Sequence, residues 1–251
     1  MKKYKICKIL LVILAIFLCV AFYELLGICV AYKKQPEVSN TTKKETKNGS
    51  WNECSENTER AVIIEKNPEA LLQRVRLIKN AKKEIILSTF AFQSDESGKL
   101  ILGALHDAAD RGVHIRLLVD GMESWIDMEG NPYFYGLSSH ENVEIKLYNK
   151  ANPLKPWKMM GRMHDKYLIA DGKRYILGGR NTYNYFLGDF PGHKNYDRDV
   201  LVVCDEPEKE NSVNQLLEYF ETIWEQEDSG YFHDNKKLAN RKSVKNAVLE
   251  L

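Results

Sequence analysis

The sequence predicts an α/β domain behind an amino-terminal transmembrane helix. Three observations carry that expectation. Ile9–Tyr23 is unbroken apolar sequence behind a lysine-rich start. Beyond residue 58, short apolar runs alternate with stretches whose apolar residues recur at helical spacing, which argues for a sheet covered by helices. The composition, 44% hydrophobic with 15 Gly and 7 Pro in 251 residues, supplies a core and excludes a disordered or collagen-like chain.

The near-neutral balance of 36 basic and 35 acidic residues hides an asymmetry. Residues 1–34 hold six lysines against the single acid Glu24, so the remainder carries 30 basic and 34 acidic residues, a net of −4. The basic end reads as a membrane flank and the body as mildly acidic. Ile9–Tyr23 is short of the roughly 20 residues a span needs, and Leu25–Tyr32 extends it. The competing reading is a cleaved signal peptide, but Cys29 and Ala31 form a poor small-x-small pair and Ile28 spoils a lipobox. An uncleaved single-pass anchor is therefore expected over 1–34. The lysines before it favour a cytoplasmic amino terminus, hence a body outside the cytoplasm, although Lys33 and Lys34 weaken that orientation. Residues 35–58 are polar and poor in aliphatics and read as a tether. Five cysteines are too few for a disulfide scaffold. Cys7, Cys19 and Cys29 fall in or beside the membrane, and Cys54 and Cys204 read as free thiols.

The expected domain spans 59–230. Ala61–Ile64 is a short apolar run. Leu71, Leu72, Val75, Leu77, Ile78 and Ala81 give a helix over 68–83, with Pro68 near its start. Glu84–Phe92 reads as a buried strand. Ser94–Arg111 is a helix with Leu100, Ile101, Ala104, Leu105 and Ala108 on one face, ended by Gly112. Val113–Asp120 and Val143–Tyr148 are strands. Met163–Ala170 and Arg174–Leu177 pair around the turn Asp171-Gly172-Lys173. Asp199–Cys204 is a strand. Glu208–Gln226 is a helix carrying Val213, Leu216, Leu217, Phe220, Ile223 and Trp224. Residues 231–251 read as a polar basic tail.

The chemistry concentrates in 162–181. His164 and Lys166, two apart on a strand, face the same way, with Met163, Tyr167 and Ile169 on the other face. A histidine beside a lysine is poor core design unless an anion sits there. Imidazole is a nucleophile, and the lysine supplies positive charge for phosphoryl oxygens. Gly178-Gly179 lets backbone amides approach an anion, and Asn181 adds a neutral donor.

Taken together the pattern is His-x-Lys-x4-Asp-x6-Gly-Gly-x-Asn, from His164 through Asp171 to Asn181. It resembles the signature of the phospholipase D superfamily, in the Gly-Gly-Arg-Asn form of the first motif of bacterial cardiolipin-synthase-like members. The superfamily at large usually carries Gly-Ser where this sequence has Gly178-Gly179, so the hydroxyl of one expected phosphate donor is missing. The resemblance covers about residues 60–227. It extends to Asp95, Gly98, the run from Ala104 to Asp120, and Asp197 in Tyr-Asp-Arg-Asp-Val. It implies a mixed sheet between helix layers, one half-unit of the two-motif enzymes. It implies attack by His164 on phosphorus to give a phosphohistidine, with Lys166 and Asn181 on the phosphate oxygens and Asp171 positioning the charged cluster. Asp197 is a possible acid to orient a histidine. No metal or cofactor is implied, and no His/Asp/Glu set has clear ligand spacing.

The superfamily's site takes two such motifs, one histidine attacking and the other protonating the leaving group. Only one is present. His233-Asp-Asn-Lys236 imitates it with the lysine one position too far. Three explanations stand: a homodimer that joins two motifs, a first half whose second half lies elsewhere, or an inactive remnant. The expected function is a membrane-anchored phosphodiesterase or phosphatidyl transferase acting on phospholipid; Trp125, Tyr133, Phe134, Tyr135 and Trp157 are candidate lipid contacts, with core or loop packing expected for most of them. The alternatives are a single-motif dimeric nuclease and a non-catalytic membrane partner. A body at −4 argues against nucleic acid, although Lys146, Lys150, Lys155, Lys158 and Arg162 form a local basic set.

Overall fold

The computed structural model describes residues 2–33, 39–40, 43–44, 59–158, 160–206, 211–233 and 236–251. Nearly all of the expected tether, Cys54 included, lies outside the described residues. Two compact units are present: 1–55 with 151–161, and 56–150 with 162–251.

The first unit is built on helix α1, Lys2–Lys33. Its stretch Lys5–Ala31 is long and apolar enough to cross a membrane, and of its residues Gly27 is buried, against Pro156 of the same unit. Within this unit Tyr23 donates its hydroxyl to the Leu154 carbonyl at 3.0 Å, beside the one-turn 3₁₀ helix Pro156–Lys158.

The second unit is an eight-stranded mixed sheet in the order β1-β7-β6-β5-β2-β3-β4-β8. The strands are β1 (Glu59–Ile64), β2 (Glu84–Thr89), β3 (His114–Asp120), β4 (Val143–Tyr148), β5 (Lys166–Ala170), β6 (Arg174–Gly178), β7 (Asp199–Cys204) and β8 (Ser229–Tyr231). The pairings β2–β3 and β3–β4 are parallel; the other pairings are antiparallel. Strand alternation sorts the side chains. Leu168 and Ala170 of β5 face one core with Ile85, Leu87, Ile115 and Leu117. Tyr167 and Ile169 face the other with Ile86 and Leu118.

Helices cover both faces. On the first lie α2 (Asn67–Asn80) and α3 (Glu96–Asp110), whose residues Ala70, Leu77, Ile101, Leu105 and Ala108 recur at helical spacing and are buried. Asp95 caps α3 by accepting the Gly98 N–H at 3.0 Å. On the second lies α6 (Ser212–Trp224), buried through Val213, Phe220 and Trp224. Arg116 enters that core only because Glu84 and Glu221 pair with it, and it sits 4.8 Å from the Phe220 ring centroid. This is the expected mixed sheet between helix layers.

The structure adds one feature to the sequence reading and corrects two. Between β3 and β4 lie two short helices, α4 (Gly121–Asp127) and α5 (Pro132–Ser138), capped by Asp120 and Asn131. Residues 231–251 are no solvated tail. They include α7 (Lys236–Ala239) and α8 (Lys242–Glu250), and Phe232, Leu238 and Val244 join the main core. Those three apolar residues are spaced too far apart for a clear periodicity. The strand before the turn at 171–173 begins at Lys166 rather than Met163, because the preceding residues leave the ladder for contacts described below.

Candidate active site

One end of the sheet gathers most of the residues singled out in the sequence. Thr89 closes β2 and pairs with Lys166, which opens β5. Gly178 closes β6 and pairs with Asp199, which opens β7. Here the parallel strands β2, β3 and β4 finish, the usual place for a site in an open α/β sheet.

His164 lies in extended chain just before β5 and is exposed. Its ring meets Phe90 edge to face, with centroids 4.6 Å apart. Lys166 is buried and donates its Nζ to the His164 carbonyl at 2.9 Å. Burial pulls the Lys166 ammonium below the usual lysine range, against the charges of Asp165 and Asp197. An ammonium buried beside an exposed imidazole, its hydrogen bond among the described residues made to a backbone carbonyl, is suited to take an anion. Asp165, of opposite parity, turns to the other face and accepts the Tyr219 hydroxyl at 2.9 Å. Burial and that carboxylate push the Tyr219 phenol up to about 12.

The β6–β7 side supplies the loop. Asn181 is buried and its Oδ1 accepts the Ala91 N–H at 3.3 Å, while its NH2 has no partner among the described residues. A side chain on Gly178 would overlap the Asp199 carboxylate, and one on Gly179 would overlap that of Asp197. The absent loop hydroxyl thus has a steric reason: Asp197 occupies its place. Asp197 accepts the Arg198 N–H at 2.7 Å and bears on Lys166 by charge. Among the described residues it makes no hydrogen bond to a histidine.

Beneath the loop is a charge cluster that sequence reasoning missed. Asp199, Arg74 and Arg180 are all buried. Asp199 Oδ2 lies 2.8 Å from Arg74 and 3.2 Å from Arg180. The two guanidinium groups share the Asp199 carboxylate, and the atoms nearest the two glycines are carboxylate oxygens of Asp199 and Asp197. Arg180 also donates to the carbonyls of Ile64 and Glu65 and to Asn67 Oδ1, which ties the loop to the end of β1 and the start of α2. The signal was legible in part: a charged residue at an apolar strand's first position, in Asp-Arg-Asp-Val, needs a buried partner.

Asp171 does not join this group. It lies at the opposite end of β5, at φ 56°, and its carboxylate accepts the N–H groups of Lys82, Lys83 and Glu84 at 2.7–3.1 Å. The five-residue strand separates it from His164 by about 23 Å of chain at full extension, seven steps of about 3.3 Å. Its role here is to hold the start of β2 against the β5–β6 turn. Nor does His233 approach His164; it bonds Glu129 at 3.1 Å. Of the proposed lipid-contact aromatics, Phe134 and Tyr135 are core residues and Tyr133 is half-buried. Trp125 is 64% exposed on α4, and Trp157 is exposed in the first unit.

The model of the phospholipase D-like domain of cardiolipin synthase matches residues 74–224. Cardiolipin synthase C of Escherichia coli (strain K12) is 29% identical over 171 residues, 62% of this chain and 34% of that protein. The chain spans about a third of the length of the curated relatives it matches. Among solved structures, phosphatidylserine synthase of Haemophilus influenzae Rd KW20 superposes with a TM-score of 0.58 at 17% identity, covering 85% of this chain and 47% of that one. Nuc of Salmonella typhimurium, a phospholipase D family member, superposes with a TM-score of 0.50 at 20% identity, covering 70% of this chain and 99% of that one. These two structural matches share the fold. With a family model matched across more than half its length and the His164–Asn181 pattern at the strand ends, this chain belongs to the phospholipase D superfamily and carries the phospholipase D-like domain of cardiolipin synthases.

Proposed function

We propose that this chain is a membrane-anchored, cardiolipin-synthase-like phosphodiesterase or phosphatidyl transferase that acts on phospholipid through His164. The supporting observation is the convergence of an exposed imidazole, a buried ammonium and the Asn181 amide at one end of the sheet. A ring nitrogen of His164 attacks phosphorus while the bond from phosphorus to the leaving alcohol breaks, giving a phosphohistidine. Lys166 and the Asn181 NH2 carry the phosphate oxygens. The leaving alkoxide takes its proton from a second acid. That acid comes from a second motif, in a partner copy or in a further segment. Water or another alcohol then attacks phosphorus, the P–N bond breaks, and His164 is regenerated.

The substrate reading favours lipid. The helix α1 would hold the body near headgroups, as a single-pass anchor with the body outside the cytoplasm. The basic set that would have suited nucleic acid is largely engaged. Lys146 is buried and donates to the Trp224 carbonyl, Lys150 donates to the Tyr231 carbonyl, and Arg162 pairs with Asp120 and Glu123. The test is incubation of the purified full chain in micelles with phosphatidylglycerol and, separately, with single-stranded DNA. We expect product from lipid alone, insensitivity to chelators, an acid-labile labelled phosphoenzyme, and loss of both in His164→Ala. Cleavage of DNA alone would mark a nuclease. Inertness toward both in a confirmed dimer would mark a non-catalytic partner.

A further inference from the structure

The nitrogen atoms of the His164 ring find no hydrogen-bond partner among the described residues; the contact its ring makes is with Phe90. Phe90 in turn is held on several sides. The Arg162 guanidinium lies over its ring at 4.9 Å, and the Lys166 ammonium at 5.1 Å. Arg162 is itself fixed. Its Nε donates to both oxygens of Asp120 at 2.9 and 3.0 Å, and its NH2 reaches Glu123 at 2.9 Å.

Asp120 is the root of this chain of contacts. It is almost fully buried, accepts the N–H groups of Met122 and Glu123 at the start of α4, and also accepts the Met163 N–H at 3.1 Å. β3 and β5 are not neighbours in the sheet; β2 lies between them. The 162–163 segment therefore crosses over the end of β2, where Phe90 sits, to reach Asp120. That crossing explains why β5 starts only at Lys166. It traps the Phe90 ring beneath Arg162 and beside His164.

We infer that Phe90, clamped by Arg162 and Asp120, is the positioning residue that sets the orientation of the His164 imidazole. A nucleophilic ring that can turn freely presents the wrong nitrogen or the wrong direction for much of the time, and fixed orientation is a large part of what a site contributes. Many sites orient a histidine by a hydrogen bond to a carboxylate. Here an aromatic edge contact, held by an ion pair between the exposed Arg162 and the buried Asp120, takes that place. The catalytic consequence rests on His164 being the nucleophile. The geometric claim does not.

The experiment separates the two. Full-length chain in micelles, with isotope-labelled histidine, is followed by NMR, and the His164 signal is assigned by its absence in His164→Ala. The wild-type Cε1–H resonance should be displaced from the other exposed histidines by the Phe90 ring current. Phe90→Leu should return it to the ordinary position, Phe90→Tyr should retain it, and Arg162→Gln should move it part of the way. A wild-type signal at the ordinary position, or one unmoved by Phe90→Leu, overturns the clamp whatever the activity. In turnover, Phe90→Leu should lower kcat at least tenfold with KM nearly unchanged, and Phe90→Tyr should restore it. Loss of the ring-current shift with kcat intact also overturns the positioning role. Activity that survives His164→Ala refutes the nucleophile assignment instead, and the NMR result still decides the clamp.

Discussion

Gly179 and Asp197 compete for one volume: the Asp197 carboxylate stands where any side chain on residue 179 would have to go. The Gly-Gly form of the loop is thus coupled to an acid brought in by the segment before β7, eighteen positions along the chain.

Gly179→Ser alone should destabilise the fold by roughly 1–3 kcal/mol, the usual range for overpacking. Asp197→Gly in the same chain should recover most of that loss. Thermal melts of the two single variants and the double variant form the cycle. Strict additivity of the two changes would show that the side chains do not share the space.

Asp199 holds two buried guanidinium groups. Asp199→Ala leaves Arg74 and Arg180 without their carboxylate, and should cost about 3–5 kcal/mol. Denaturant titration measures it. A loss below about 1 kcal/mol would mean that the arginines find other partners and that the triad does not hold the loop.

Asp171 behaves as a cap on backbone N–H groups. Asp171→Ala should destabilise by about 0.5–1.5 kcal/mol as water takes over the exposed N–H groups of Lys82 and Lys83 and the part-buried one of Glu84, with kcat of the folded variant within a few-fold of wild type. A hundredfold fall in kcat with stability intact would restore Asp171 to the chemistry.

Burial places the Lys166 ammonium below the usual lysine range. If the protonated form binds phosphate, activity should fall on the alkaline side at a pH below that range. Lys166→Arg should weaken activity and remove this limb, since guanidinium stays charged. The stability effect has the opposite sense. Between the lowered native value and the ordinary one, the unfolded chain binds more protons, so this group's contribution to stability rises with pH across that window. An alkaline limb unchanged in Lys166→Arg would assign it to another group.

What the sequence determined by itself is what neighbours along the chain decide. Period-two and helical spacings laid out β2 to β7 and the long helices α2, α3 and α6, because each buries one face of a regular element. The His164–Asn181 pattern identified the family because its spacing is local to one hairpin. Tertiary structure decided what depends on groups distant in sequence. Asp171 carries a motif acid but reaches three amides on another strand, and β5 points it away from His164. Phe90, Asp120 and Arg162 lie up to 72 positions apart and meet only where one segment crosses the end of β2. Asp199 gains its arginines from α2 and from the loop after β6. Phe232, Leu238 and Val244 look isolated in a polar stretch, and the main core takes them in. In each case the determining force is a desolvated charge or apolar group finding its partner across the fold, and residue spacing carries no record of that.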